Sequence, residues 1–272
     1  IAALTHSTYP LDLIEVIIAD DGSSDSPETL IPLFEKHFPV RHVFQEDLGY
    51  RLSEVRNLGV REANHDQIII LDCDMLPEPT LVESYMQYMH VGTKAVLIGG
   101  RRYVNTDELS IESVLDDIEP VLSLPTQRVD TGRGPEGDEA PSEDWRYKFY
   151  ADSNNAKDAK YAFRWLCGGN ICFHRPLHDA IGGFDESFTA WGAEDQEYGY
   201  RMYAAGAWFI PVENAVGLHQ EPPGGSNETD RDAGRSITRE QLIEKCPAMY
   251  RKSEKDRIYE VPKVTVYIPA YN

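Results

Sequence analysis

The stretch that decides the fold is residues 13–25, LIEVIIADDGSSD, where a β-branched run stops at acidic and small polar residues. Such a run is typical of a buried parallel strand that ends in a polar loop. A similar pattern returns at residues 67–74, QIIILDCD. Helical spacing over residues 27–37 and 53–64, with a further strand pattern at 41–45, completes an order of strand, helix, strand, helix, strand. This order predicts βαβ units and an α/β fold.

Both acidic stretches follow strands, and in open α/β sheets ligands bind beyond the carboxyl ends of the strands. Further along the chain, the pattern predicts helices over residues 81–90, 194–205 and 238–250, and strands over 95–99 and 208–212. Residues 125–160 are rich in Gly, Pro, Asp, Asn and Lys and have no sustained period. We therefore expect a mobile surface segment there, of the kind that often forms a lid.

Composition excludes several classes of protein. The 272 residues carry 26 Lys+Arg against 46 Asp+Glu, a net charge of −20, which excludes a general nucleic-acid-binding surface. Hydrophobic residues make up 41%, enough for a buried core. No apolar run approaches the roughly 20 residues that span a bilayer. The four scattered cysteines favour a reducing, cytoplasmic setting over a disulfide scaffold.

The Asp72-x-Asp74 pair is the first candidate site. Two carboxylates this close repel each other unless a cation lies beside them, and hard oxygen ligands suit Mg²⁺ or Mn²⁺. A metal that bridges a nucleoside diphosphate is the natural ligand. Taken alone, such a pair is common and a solvated loop is the favoured interpretation, so the surrounding motifs decide.

That context is a series of motifs in a fixed order. They are DDGSSD at 20–25, GYRLSEVRNLG at 49–59, DCD at 72–74, GGN at 168–170, FDESF at 184–188, WGAED at 191–195 and HQEPPG at 219–224. With these motifs the sequence resembles the family 2 inverting glycosyltransferases of the GT-A fold. It is similar in particular to the N-terminal transferase domain of bacterial chondroitin polymerases and two-domain hyaluronan synthases, over nearly the whole chain.

The resemblance implies a Rossmann-like, mostly parallel sheet flanked by helices, with a smaller acceptor-side part. It also implies a nucleotide-sugar site with these residues: Asp20 and Asp21 at the uracil and ribose; Arg51, Arg56 and Asn57 near the nucleotide; Asp72 and Cys73 on the metal loop; Gly169, Asn170 and Trp191 around the donor sugar. Asp74 and His219 would bind Mn²⁺, with Mg²⁺ as the alternative metal.

Glu194 and Asp195 are the pair that we assign to catalysis. Inversion at an anomeric carbon needs one base to remove the proton of the acceptor hydroxyl, and a metal can stabilise the departing diphosphate. We favour Asp195 as the base and Glu194 as a contact to the acceptor hydroxyl, with the reverse assignment open. Trp191 suits either sugar stacking or core packing.

The resemblance also predicts how the chain is divided. Residues 1–236 would be a GT-A domain without its first strand, and 237–262 a linker helix region. The stretch VTVYIPAYN at 264–272 resembles the strand that opens such a domain, so residues 263–272 would begin a second transferase domain. A less favoured interpretation is that the strand at 264–272 occupies the position of the missing first strand in the sheet of residues 1–236.

The expected activity is transfer of GalNAc or GlcNAc from a UDP-sugar to the non-reducing end of a glycosaminoglycan-like chain. Alternatives are Gal or Glc transfer to another capsular or surface glycan, and a non-catalytic module that binds nucleotide or glycan. The resemblance places the enzyme in the cytoplasm of capsule-forming bacteria, with peripheral association at the inner face of the membrane as an option. Because a polyanionic acceptor should be repelled at this net charge, we expect a local basic surface, with Arg101, Arg102, Arg164 and Arg175 as candidates.

Overall fold

The computed structural model describes residues 1–127, 144–220, 231–246 and 249. The strands are β1 Val16–Asp20, β2 Val40–Phe44, β3 Gln67–Leu71, β4 Met75–Pro77, β5 Ala95–Val104, β6 Asn170–His174 and β7 Trp208–Gln220. The α-helices are α1 Leu52–Glu62, α2 Leu81–Met86, α3 Ile111–Asp116, α4 Glu119–Leu122, α5 Arg146–Asp152, α6 Arg175–Ala180, α7 Glu194–Ala204 and α8 Arg231–Lys245. Short 3₁₀ segments cover Ala2–His6, Leu11–Leu13, Pro27–Leu33, Met89–Val91 and Ala162–Trp165.

The strands form two sheets. Strands β1 and β2 pair in parallel, and the other five lie in the order β3-β6-β5-β7-β4. The predicted α/β class is confirmed, but the expectation of a mostly parallel sheet is wrong for the described strands. Only β1–β2 and β5–β7 pair in parallel, whereas β3–β6, β4–β7 and β5–β6 are antiparallel.

The central strands are buried on both faces. Val96 and Ile98 of β5 contribute to a cluster with α7, while Ala95 and Leu97 face the opposite way and pack with α2. This alternation follows from the two-residue period of a strand. Strands β5 and β6 therefore form a rigid base for the residues at their ends.

A bulge interrupts the β5–β7 pairing, because Gly99 pairs with Val212 and Gly100 with Val216. The buried amide of Asn170 closes the gap: its nitrogen donates to the carbonyls of Gly100 and Ala215, at 3.0 and 2.9 Å. A Cβ on Gly99 would fall 2.3 Å from that nitrogen, so only glycine fits. The bulge carries β5 and β7 onward to the functional end of the sheet.

Several predicted boundaries change. The helix expected over 27–37 is a 3₁₀ segment that holds Pro32, and the strands expected over 95–99 and 208–212 continue to Val104 and Gln220. Helix α8 begins before the expected residue 238 and runs through the predicted domain boundary at 236. Its Thr238, 1% exposed, packs against the rest of the domain.

The expectation of an irregular segment over 125–160 is wrong for residues 146–152, which form α5. Arg146 and Tyr150 of this helix are almost completely buried, so the segment belongs to the core despite its polar composition. Residues 128–143 lie outside the described residues, as do 263–272, where a second domain is predicted. Among the described residues, no helix is both long and apolar enough to cross a bilayer.

Candidate active site

Most of the predicted site residues line one cavity of about 540 Å³ at the end of the five-stranded sheet. Strand directions explain why they meet. Because β6 runs antiparallel to β3, Asn170 at its start pairs with Leu71 at the end of β3. Because β5 and β7 run in parallel, Tyr103 pairs with His219 at their common end. The predicted residues in the lining are Arg56, Asp72, Asp74, Gly169, Asn170, Trp191, Glu194, Asp195 and His219.

Arg56 of α1 connects the metal loop to the catalytic pair. Its Nη2 donates to Oδ1 of Asp72 at 2.9 Å, and its Nη1 lies 3.4 Å from Oε1 of Glu194. The side chains of Arg56 and Glu194 are both buried, so their ion pair is shielded from water, whereas the Asp72 side chain is partly exposed. The two carboxylates raise the pKa of Arg56 against the effect of burial, which would lower it. Arg56 is therefore a fixed positive charge between two acidic side chains.

Two glycines let the backbone approach these charges. A Cβ on Gly168 would lie 2.6 Å from Nη1 of Arg56, and one on Gly169 would lie 2.3 Å from Oδ2 of Asp72. The carbonyl of Gly169 also accepts the backbone N–H of Asp72 at 3.0 Å. A side chain at either position would therefore displace a charged group of the site.

The two candidate metal ligands, Asp74 and His219, lie next to each other in the cavity lining. The Nε2 of His219 is 3.3 Å from Oδ2 of Asp74, and the His219 ring packs edge-on against Tyr103 with centroids 5.2 Å apart. One carboxylate and one imidazole fit Mn²⁺ or Mg²⁺ if diphosphate oxygens and water complete the shell. The described residues contain no group of three or more His, Cys, Asp or Glu side chains that could hold a metal unaided.

Helix α7 begins at the catalytic pair. Ala193, just before it, has a left-handed backbone with φ 70°. Burial, followed by the charge of Asp195, raises the pKa of Glu194 to about 7, although Arg56 opposes the shift. Glu194 is 7% exposed, whereas Asp195 is half-buried and more open to the cavity. The pair thus contains one shielded and one accessible carboxyl group.

Helix α8 packs against the loop that precedes the catalytic pair. The guanidinium carbon of Arg235 lies 4.9 Å from the centroid of the Trp191 ring, and the hydroxyl of Thr238 donates to the carbonyl of Trp191 at 3.3 Å. A Cβ on Gly234 would lie 2.8 Å from that carbonyl oxygen. Trp191 is therefore both a cavity residue and the contact point for α8, and its stacking on a sugar stays a prediction.

Asp20, Asp21 and Arg51 form a separate cluster after β1, outside the cavity lining. The oxygens of Asp20 accept from the N–H of Ser23 at 2.8 Å and from His42 at 3.0 Å. Burial would raise the pKa of Asp20, but these hydrogen bonds outweigh it and the pKa is lowered. Asp21 accepts from the backbone N–H of Arg51 at 3.1 Å. The acidic loop is thus ordered and charged, and its contact with a nucleotide stays a prediction.

Two residues predicted near the donor have side-chain amides that are engaged within the fold. The Asn57 amide donates to the carbonyl of Phe184 and accepts the N–H of the same residue, at 2.9 and 2.8 Å, so it fixes that turn. The Asn170 amide also accepts from the hydroxyl of Tyr85 at 2.7 Å, which leaves it committed to the bulge between β5 and β7. Asn57 also donates to Oε1 of Glu186 at 2.9 Å, and a contact of either amide with a donor stays a prediction. Cys73 is exposed between the two aspartates and is absent from the described lining.

The expected basic surface is only partly at the site. Arg101 and Arg164 line the cavity. Arg102 instead donates to the carbonyls of Leu122 and Leu124, and Arg175 binds the carbonyl of Ala63 and the Asp66 side chain. These two arginines therefore stabilise the fold outside the cavity lining, and their contribution to an acceptor surface stays a prediction.

Sequence reasoning missed several residues of the lining, among them Tyr50 and Arg146. Burial, followed by the charge of Glu194, raises the pKa of Tyr50, which places its hydroxyl near the catalytic pair. Tyr50 lies within the GYRLSEVRNLG motif but had no assigned role. Arg146 stands in WRYKFY at 145–150, whose aromatic content is high for a solvated loop and was the available signal.

This arrangement is that of a GT-A glycosyltransferase domain, and solved structures agree. The fold matches S. aureus TarS in complex with UDP-GlcNAc, with a TM-score of 0.58, 14% identity and coverage of 89% of this chain and 60% of that one. It matches the mannosyltransferase PcManGT from Pyrobaculum calidifontis with GDP-Man and Mn²⁺ at a TM-score of 0.58, with 19% identity and coverage of 92% and 58%. At these identities the likeness establishes the fold.

The chain belongs to glycosyl transferase family 2, whose profile matches residues 1–155. A second profile, described as the N-terminal domain of galactosyltransferase, matches residues 150–217.

Relatives include the chondroitin synthase of Escherichia coli, 42% identical over 95% of this chain and 38% of that protein. The hyaluronan synthase of Pasteurella multocida is 38% identical over 98% of this chain and 27% of that protein. The chain thus spans less than two fifths of the length of these relatives.

Proposed function

We propose that this domain transfers GalNAc or GlcNAc from a UDP-sugar to the non-reducing end of a glycosaminoglycan-like polymer, with inversion and with Mn²⁺ as cofactor. The observation that carries the proposal is the bridge that Arg56 makes between Asp72 and Glu194 in one cavity. This bridge fixes the distance between the metal loop and the catalytic pair, as transfer between two bound substrates requires. The class of polymer follows from the names of the relatives, chondroitin and hyaluronan synthases.

Asp195 is the proposed general base. It is the more accessible carboxyl group of the pair, and it follows Glu194 at the start of α7, where the helix dipole favours a negative charge. Glu194, held by Arg56, would contact the acceptor hydroxyl. The reverse assignment draws support from the raised pKa of Glu194, because a base is most effective when its pKa lies near the working pH.

Asp74 and His219 would hold the metal. A cation bound there supplies positive charge that stabilises the departing diphosphate. The domain's own contribution is to keep these two ligands 3.3 Å apart at the paired ends of β4 and β7, where Met75 is opposite His219. Position on paired strands fixes the two ligands before substrate binds.

A hexose donor is the second candidate. It is favoured by the galactosyltransferase profile over residues 150–217, which includes the catalytic pair. A relative named validoxylamine A glucosyltransferase, 31% identical over 76% of this chain, also favours a hexose donor. The choice between an N-acetylhexosamine and a hexose depends on the donor-sugar pocket around Gly169 and Trp191.

The test is UDP release from UDP-GalNAc, UDP-GlcNAc, UDP-Gal and UDP-Glc, each with Mn²⁺ and a glycosaminoglycan oligosaccharide. We expect release to be fastest with one N-acetylhexosamine donor and to fall at least about 100-fold in Asp195→Asn, with little change in UDP affinity. Asp12→Asn, which alters an exposed aspartate far from the cavity, is the matched control. Equal turnover in Asp195→Asn and the parent would contradict the assignment, and a faster hexose donor would favour the second candidate.

A further inference from the structure

Two arginines form a basic wall in the cavity that the proposed chemistry does not use. Arg146 of α5 is 1% exposed, and its Nη2 donates to the carbonyl of Gly99 at 3.0 Å. Its Nε donates to both oxygens of the Asp144 carboxylate at 3.0 Å. Arg101 of β5 lies next to it in the lining, with its guanidinium carbon 5.1 Å from the centroid of the Tyr103 ring. A buried pair and an aromatic face therefore hold both guanidinium groups in place.

The wall has more positive charge than its surroundings neutralise. The carboxylate of Asp144 acts on both guanidinium groups, whose charges also act on each other. In the part of the chain that the structure describes, Arg101 makes no ion pair of its own. The buried Nε of Arg101 and Nη1 of Arg146 likewise have no hydrogen-bond acceptor among the described residues. A buried donor without an acceptor is costly, which favours an anionic ligand here.

The wall lies near the proposed base. Cys167 also lines the cavity, and its thiol is affected by the charges of the wall and of Asp195. Burial raises the pKa of its thiol, the charges of Arg146 and Arg101 lower it, and the charge of Asp195 raises it. The thiol is thus within electrostatic range of the two arginines and of Asp195. A ligand whose hydroxyl reaches Asp195 would bring its neighbouring substituents to the wall.

The chemistry of a hexuronate matches this arrangement. Its carboxylate is attached to C5, beside the ring carbon that bears the C4 hydroxyl. Arginine pairs with carboxylates through two parallel hydrogen bonds, and the pairing is strong in a site shielded from water. The diphosphate of the donor has its own proposed partner in the cation at Asp74 and His219, so the wall is available to the acceptor. With a net charge of −20, the domain needs such local compensation to bind a polyanion.

We propose that Arg101, supported by Arg146, binds the carboxylate of a terminal hexuronate on the acceptor glycan, an inference that rests on the proposed function. Arg101 is the contact group because it is half-buried, and Arg146 adds positive charge from within the core. The wall then selects an acidic acceptor over a neutral one and plays no part in donor binding.

The test compares two oligosaccharides that differ only at the non-reducing end, one with a hexuronate and one with that carboxylate reduced to an alcohol. Binding of each to the whole chain with UDP and Mn²⁺ is measured by calorimetry, and UDP affinity is measured separately. We expect the parent to bind the acidic oligosaccharide about 30-fold or more tightly than the reduced one. In Arg101→Gln this preference should disappear, and Arg101→Lys should keep part of it. UDP affinity should stay within about twofold of the parent.

Arg61→Gln is the matched control, since it removes an exposed arginine of α1 and should leave every value unchanged. A parent that binds both oligosaccharides alike, or binds neither, overturns the inference. So does a loss of UDP affinity in Arg101→Gln, which would place Arg101 at the donor. Failure of the proposed function has a different signature, namely a parent that prefers the acidic oligosaccharide yet releases no UDP from any sugar nucleotide.

Discussion

The guanidinium of Arg56 lies 3.4 Å from the carboxylate of Glu194, although 138 residues separate them in the chain. The contact ties α1 to the start of α7 inside the core. It also explains why Glu194 can be buried beside a second carboxylate, because an unpaired buried charge would cost several kcal/mol. The geometry of the catalytic pair therefore depends on a residue outside it.

Replacement of Arg56 should damage both stability and activity. In Arg56→Gln, Asp72 and Glu194 lose their common cation, and we expect the free energy of unfolding to fall by about 3 kcal/mol. UDP release should fall about 100-fold, because the loop that carries Asp72 and the start of α7 at Glu194 are no longer held at a fixed distance. Urea denaturation and a UDP-release assay measure the two effects. Arg61→Gln serves as the control, and a stable, active Arg56→Gln protein would show that the bridge is dispensable.

Glu194 should make stability fall as pH rises. Its folded-state pKa of about 7 lies above the ordinary value of 4.5, so the folded protein retains a proton that the unfolded chain has lost between these two pH values. Glu194→Gln keeps the neutral form at every pH. At pH 8 it should exceed the parent in free energy of unfolding by on the order of 2 kcal/mol, and the gain should vanish near pH 5. Urea denaturation at both pH values measures this, and a variant less stable than the parent at pH 8 would contradict the shift.

His178 should make the stability of the protein fall as pH falls, the opposite of the effect of Glu194. Burial lowers its pKa to about 4, and the neutral ring bonds the hydroxyl of Tyr198 at 2.8 Å and stacks on Phe173. Because the unfolded chain takes up the proton at the ordinary value of 6.5, stability is complete above that pH and is lost as pH falls toward 4.

The check is thermal unfolding between pH 7 and pH 5. The melting temperature of the parent should drop over this range, whereas His178→Gln, less stable at pH 7, should show a smaller drop. The exposed His90→Gln is the control and should follow the parent. Equal slopes for His178→Gln and the parent would rule out this source of acid sensitivity.

Ala193 stores backbone strain next to the catalytic pair. Its φ of 70° is left-handed, which costs a residue with a Cβ roughly 1 kcal/mol. Ala193→Gly should therefore raise the free energy of unfolding by up to about 1 kcal/mol, less the extra chain entropy of glycine. Ala204→Gly, at the end of α7, should lower it by about 0.5–1 kcal/mol. If both variants were destabilised alike, Ala193 would not be strained.

The fold was predictable where a local pattern determines the element. Strand β3 has the expected bounds, Gln67–Leu71, because its apolar run is bounded by polar residues on both sides. The far ends of β5 and β7 were missed because Gly99 and Gly100 resemble the end of a strand, whereas here they form a bulge stabilised by Asn170. The amide and the bulge are distant in sequence, so a local pattern cannot reveal their pairing.

The site shows the same division. Asp72 and Asp74 after β3 line the cavity at the strand end where ligands were expected, whereas Asp20 and Asp21 at the end of β1 lie outside its lining. The hydrogen bonds of Asn57 and Asn170 could not be predicted, because they go to backbone groups far along the chain. Arg146 was missed because a Gly- and Pro-rich composition nearby outweighed the aromatic residues that follow it.

The most direct test of the central claim is calorimetric titration of UDP into this chain with Mn²⁺, repeated with a chelator and in Asp74→Asn. We expect UDP to bind with Mn²⁺, and the affinity to fall at least about tenfold in each of the other two cases. Asp107→Asn, an exposed aspartate after β5, should bind as the parent does. No UDP binding with Mn²⁺ would contradict the assignment of a nucleotide-sugar site, and equal binding with chelator would contradict the role of Asp74 and His219.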